Sequence, residues 1–206
     1  MDRRVVITGI GVLSPIGNGK EAFWEQLFRG SSGFRQITLF DTTSFQVHKA
    51  GELTGFDALP YLGKKGLRDL DRSTRLICSA AKLALDDSRL GISPDNTHET
   101  GIAVGTTFGS LHSISQFDRS GLIDGPRLVN PSHFPNTVIN SPASQVAIRF
   151  AVKGFNTTVS TGFCAGLDAA AYAADFIRMG RAQAVLAGGV EELCEETFLL
   201  FHTQGY

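Results

Sequence analysis

Short β-branched runs alternate with longer stretches of helical spacing along the chain, which is the pattern of a mainly parallel sheet covered by helices on both faces. Val5-Val6-Ile7 predicts a strand over residues 3–8, followed by a glycine-rich stretch from Gly9 to Gly19. Asn18 stands as the cap of a helix over 20–29, with Phe23, Trp24 and Leu27 on one face and Gly30 as its stop. Residues 31–66 read as mixed loop. A second helix is predicted over 71–90, with Leu76, Ile77, Ala80, Leu83 and Ala84 as its buried stripe and Gly91 ending it. A strand over 101–106 leads into a glycine turn at 105–109, and residues 136–152 carry helical spacing despite Pro142, ending at Lys153-Gly154. Then come a strand over 156–161, a sharp turn, a helix from Cys164 to Met179 stopped by Gly180, and a strand over 182–187. After Gly188-Gly189 an acidic segment turns helical from Glu192 onward.

Composition narrows the classes of function. In 206 residues, 42% hydrophobic and 19% charged, 19 basic side chains face 20 acidic ones, so the net charge is −1. That balance excludes intrinsic disorder and offers no electrostatic footprint for nucleic acid or an anionic membrane surface. With no apolar run of membrane-spanning length and an amino terminus that opens directly on a strand pattern, the expected location is the cytoplasm. Cys78, Cys164 and Cys194 lack any CxxC spacing, which argues against a disulfide framework or a structural zinc site. The five histidines, His48, His98, His112, His133 and His202, show no ligand spacing and are expected on the surface or in loops.

Two turns attract chemical interest. Gly9-Ile10-Gly11 imitates a dinucleotide-binding turn, but Ser14-Pro15 stands where a third glycine would open the helix, and a tight structural turn is the better reading. The turn between the strand at 156–161 and the following helix is different, because a side chain presented there meets a helix N-terminus that favours a thiolate or a developing oxyanion. Cys164 is the one cysteine in that setting. A small apolar residue packed at the start of a core helix explains it equally simply.

The ordered succession of several segments resembles the β-ketoacyl-acyl carrier protein synthases of the thiolase fold. Arg4-Val-Val-Ile-Thr-Gly-Ile-Gly-Val-Leu-Ser-Pro-Ile-Gly17 is similar to the family's opening strand and loop, and Asp71-Arg72-Ser-Thr-Arg75 with Ala80-Ala-Lys-Leu-Ala-Leu85 to its next helix. Gly125-Pro-Arg127, Asn130-Pro131, Lys153-Gly154 and Ala187-Gly-Gly-Val-Glu191 follow in the family's order. The resemblance implies a thiolase-like α/β fold and acyl groups delivered on the phosphopantetheine of acyl carrier protein, with no metal or redox cofactor.

Two departures qualify what it implies. The family's nucleophile turn reads Thr-Ala-Cys-x-x-Gly, and Thr161-Gly-Phe-Cys-Ala-Gly166 aligns with it so that Phe163 occupies the nucleophile position. A phenyl ring accepts no acyl group. Cys164, one residue on, points about 100° away around the helix. Gly166-Leu-Asp-Ala169 is similar to the chain-length factors, non-catalytic partners that shape a shared acyl tunnel. By that resemblance Phe108, Leu111 and His112 are candidates for gating tunnel length, with plain core packing as the alternative for Phe108 and Leu111.

The second departure is length, since the family fold has two similar halves. Residues 1–206 are expected to form the N-terminal half, needing a complementing C-terminal half, and to partner a catalytic ketosynthase subunit and acyl carrier protein. An active synthase using Cys164 and a pure assembly scaffold are the competing readings.

Overall fold

The computed structural model describes residues 4–205. Its centre is a parallel three-stranded sheet in the order β6-β5-β7, formed by β5 (Thr100–Gly105), β6 (Asn156–Val159) and β7 (Ala184–Gly189). In register, Ile102 pairs with Asn156 on one side and Leu186 on the other. Every residue of β5 is buried, as expected of a central strand covered on both faces.

One face is covered by α3 (Arg72–Ser88) and α5 (Ser141–Phe150), whose Ile77, Cys78, Ala81, Ala143 and Val146 pack with Ile102 and Val104. The other face is covered by α6 (Ala165–Arg178), which lays Ala169 and Ala173 on Ala103. Ala165, Ala169 and Ala173 recur every four residues, so they fall on one side of the helix and let it approach the sheet closely. Two antiparallel pairs flank this core: β1 (Leu13–Ser14) with β2 (Gly17–Asn18), and β3 (Phe34–Gln36) with β4 (Lys49–Gly51). The remaining elements are α1 (Lys20–Phe28), α2 (Leu59–Leu62), α4 (Leu111–Ile123), a 3-10 helix (Pro131–Thr137) and α7 (Glu195–Thr203).

Several sequence expectations need correction. The strand expected over 3–8 is absent from the described part of that segment, and Arg3 lies outside the described residues. Val6 and Ile7 are 70% and 85% exposed, and no strand among the described residues pairs with them, so their β propensity has no ladder to join. Asn18 lies in β2 and Gly19 caps α1 without a side-chain bond; Trp24 and Leu27 are exposed, so the apolar face of α1 meets no core. Residues 31–66 contain a hairpin and a helical turn. On α3, Asp71 caps by accepting from the Thr74 amide at 2.8 Å, and the left-handed end falls at Arg89 rather than Gly91.

The most buried stripe of α3 runs through Thr74, Ile77, Cys78, Ala81 and Leu85, rotated from the expected one. The expected face at Ala80 and Ala84 is covered instead by Gly9 and Gly11. A Cβ on Gly9 would stand 2.6 Å from the Ser88 amide nitrogen, and one on Gly11 would stand 2.8 Å from that of Ala84. Those glycines serve close packing against a helix, which accounts for their spacing without a phosphate. Within 136–152 the α-helix is confined to α5, with Pro142 in its first turn, where a missing N–H costs nothing, while residues 136–137 end the 3-10 helix and 138–140 connect the two. His202 lies half-buried on α7, with its ring packed against those of Phe45 and Phe198, so it is neither in a loop nor on the open surface, whereas His112 is exposed on α4, within the surface expectation.

Candidate functional site

The three parallel strands end at the same edge of the sheet, and the loops that follow them meet there: 106–110 after β5, 160–164 after β6 and 190–194 after β7. Ligand sites of open parallel sheets gather at this carboxyl edge. Glu191 holds the edge together. One of its carboxylate oxygens accepts from the Thr106 hydroxyl at 2.9 Å, from the Thr107 amide, and from the Phe108 amide at 3.4 Å. The Thr107 hydroxyl in turn donates to the Gly162 carbonyl at 2.9 Å, joining the first loop to the turn before α6. Gly162 takes a φ of +87°, a conformation that bends the chain sharply from β6 into the helix.

Just after that bend, Phe163 projects with 75% of its surface exposed. Its ring stacks on Phe201 of α7 at a centroid separation of 5.8 Å, and Phe201 meets Phe108 edge-on at 6.0 Å. A row of three phenyl rings therefore links the turn before α6, the loop after β5, and α7. Cys164 is exposed at the N-cap of α6, and the Asp168 carboxylate in the first turn accepts from the Thr161 hydroxyl. By contrast, burial pushes the Cys78 thiol up to about 12 and raises that of Cys194, so neither is available as a thiolate.

Leu111 is half-buried at the start of α4. His112, beside it, is exposed and bonds through Nδ1 to the Glu196 carboxylate at 3.1 Å. Phe108, Phe163 and Cys164 thus share one edge with Leu111 and His112 on the adjoining helix. Sequence reasoning missed three contributors: Phe201, Glu196 and the bridging role of Glu191. Only Glu191 had a signal, an acidic residue immediately after Gly188-Gly189 at the carboxyl end of a parallel strand. Among the described residues no group of His, Cys, Asp and Glu is arranged to hold a metal ion, and no helix is long and apolar enough to cross a membrane.

Residues 2–206 match the model of the β-ketoacyl synthase N-terminal domain. The 3-oxoacyl-[acyl-carrier-protein] synthase 2 of Vibrio cholerae serotype O1 is 38% identical over 190 residues, covering 92% of this chain and 46% of the relative. The protein of the same name from Staphylococcus aureus is 34% identical over the same shares. Among solved structures, the ishigamide ketosynthase/chain length factor superposes with a TM-score of 0.90 at 33% identity, over 100% of this chain and 51% of that one. A type II polyketide ketosynthase solved with its acyl-carrier protein and bound to the hexaketide gives a TM-score of 0.84 at 26% identity, over 100% and 50%. The chain spans about half the length of the relatives it matches. With the family's N-terminal domain matched along the sequence and its α/β architecture superposed along the whole chain, the protein belongs to the thiolase-like β-ketoacyl synthase family.

Proposed function

We propose that residues 1–206 are the N-terminal half of a ketosynthase-complex subunit in fatty-acid or type II polyketide biosynthesis, a non-catalytic partner resembling a chain-length factor. Phe163 carries this reading. Where an active synthase presents the thiol that accepts the acyl group, this chain presents a ring with no lone pair to attack a thioester. The ring is ordered by its stack on Phe201. In this reading Phe108, Leu111 and His112 border the acyl channel, and a second subunit joins the carbons. Acyl groups arrive on the phosphopantetheine of acyl carrier protein, so no further cofactor is needed. The two superposed structures, one a ketosynthase/chain length factor and one a ketosynthase with its carrier protein, support the assignment.

Three surfaces support a complementing C-terminal half. Val6 and Ile7 stand unpaired, α1 exposes Trp24 and Phe28, and α6 exposes Leu167 (76%) on the side away from the sheet. Apolar surface on this scale calls for a partner. A cleft of about 270 Å³ also opens between residues 11–15 and the end of β7, lined by Val12, Leu13, Leu76 and Val190.

The alternative, an active synthase, rests on the exposed Cys164 thiol at the N-cap of a 14-residue helix. Intact-protein mass spectrometry separates the two after incubation with acyl-loaded carrier protein and the partner ketosynthase. The expected result is no added mass on this chain and an altered product length when Phe108 or Leu111 changes size. An acyl adduct on Cys164, with loss of turnover in Cys164→Ser, refutes the non-catalytic reading. Product length indifferent to Phe108 and Leu111 favours an assembly scaffold.

A further inference from the structure

The carboxyl edge of the sheet is rich in hydroxyls, and they are already spent. On the loop after β5, Thr106 donates to Glu191 at 2.9 Å and Thr107 to the Gly162 carbonyl at 2.9 Å. On the loop after β6, Ser160 donates to the Thr107 carbonyl at 3.3 Å and Thr161 donates to Asp168. At the start of α4, Ser113 donates to Asp71 at 3.1 Å, and His112 is tied through Nδ1 to Glu196 at 3.1 Å. The Ser110 hydroxyl has no partner, but at 1% exposure it is sealed beneath the surface. What the edge leaves open is apolar: the row of Phe163, Phe201 and Phe108, and Leu167, four residues on from Phe163, which is exposed.

We infer that this edge selects a reduced, conjugated acyl chain and discriminates against a poly-β-ketone, with Phe163, Phe201 and Phe108 as the residues that set the preference. The inference deepens the proposed function and rests on its placing of the acyl channel at this edge. A poly-β-ketone carries a carbonyl oxygen on every second carbon, and each oxygen that leaves water needs a donor in exchange. No hydroxyl here is free to give one, because diverting Thr106 or Thr107 to the chain would break the bonds that hold the loops together. The amides of Phe163 and Cys164 form no hydrogen bond among the described residues, but both stand at one end of the row and suffice for a single carbonyl, such as that of the thioester.

A conjugated chain asks for no more than that. It is flat, its one polar group is the terminal carbonyl, and its π surface packs on phenyl rings in the offset or edge-on manner that rings adopt with one another. The row offers both arrangements: the planes of Phe163 and Phe201 lie 29° apart, close to parallel, and Phe108 stands at 84° to Phe201. Phe163, 75% exposed, keeps one face uncovered. A saturated chain meets the same apolar surface without the stacking, so it ranks between the other two.

Isothermal titration of the chain in its assembled complex tests this with three pantetheine amides of equal length, bearing a conjugated trienoyl, a saturated or a 3,5-dioxo acyl group. Amides in place of thioesters keep acyl transfer out of the measurement. The trienoyl amide should bind about 2- to 10-fold more tightly than the saturated one, and at least about 10-fold more tightly than the dioxo one. Phe163→Leu and Phe201→Leu keep an apolar side chain but remove the ring, so each should erase most of the trienoyl advantage over the saturated amide. Phe163→Tyr supplies a hydroxyl and should narrow the gap to the dioxo amide. Equal binding of the trienoyl and dioxo amides, or a trienoyl advantage unchanged in both leucine variants, overturns the inference and leaves the non-catalytic role standing, since that role is read from mass on Cys164. Binding of none of the three amides overturns it together with the placing of the acyl channel.

Discussion

Gly105→Ala tests whether the edge that carries Phe163 and Cys164 is built by close contact between β5 and α6. Gly105 ends β5 directly beneath the start of α6. A Cβ placed there would stand 2.5 Å from the Gly166 amide nitrogen and closer still to the Ala165 carbonyl. Ordinary contact begins near 3.4 Å, so the strand and helix must part by about 0.9 Å or more, and every atom met is backbone. Overpacking of this kind costs about 1–3 kcal/mol, with little relief from rotamer change. It also displaces the turn holding Phe163, weakening the ring stack on Phe201. Gly188→Ala, in neighbouring β7, is the control because nothing lies within 4 Å of its Cβ. Urea unfolding of both variants in the same assembled state as wild type checks the magnitude. If Gly105→Ala unfolds within about 0.5 kcal/mol of Gly188→Ala, the contact does not exist as described.

Ile102 is fully buried at the centre of β5, so Ile102→Ala should cost about 2–5 kcal/mol and Ile102→Val about 0.5–1.5 kcal/mol, as read by denaturant midpoints at constant m. Glu191→Ala removes the acceptor shared by Thr106, Thr107 and Phe108; a loss of about 1–3 kcal/mol and faster amide exchange at 107 and 108 are expected, with little change at 77 and 78 in α3. Because the Glu192 carboxyl is raised from 4.5 to about 7, its contribution to stability is fully present below pH 4.5 and is lost as pH climbs to about 7. The full shift corresponds to about 3 kcal/mol, seen as the difference in unfolding free energy between wild type and Glu192→Gln over that range.

Much of the fold was legible because parallel α/β architecture writes itself locally. The strands at 100–105 and 184–189 and the helix after Cys164 were readable from apolar runs and alanine spacing, whereas the capping role of Asp71 was not read and the cap expected at Asn18 did not form. Helix α4 was missed. Its Leu111, Ile114, Phe117 and Leu122 are interspersed with Ser, Asp and Gly121, and its start has no side-chain cap. The strand at 3–8 was expected for a good local reason, yet pairing is a property of neighbours, and no described strand lies beside it.

The candidate site divides in the same way. The sequence by itself determined that an aromatic residue, Phe163, precedes the exposed cysteine at the head of α6, since side-chain identity and the glycine-driven bend are local facts. Only the tertiary structure decided that Phe163, Phe201 and Phe108 form one row, that Glu191 ties its own loop to the one after β5, and that Glu192 is buried. These partners lie 38 to 93 residues apart, and no local pattern encodes a separation of that length; it is set when the sheet closes and brings its loops to one edge.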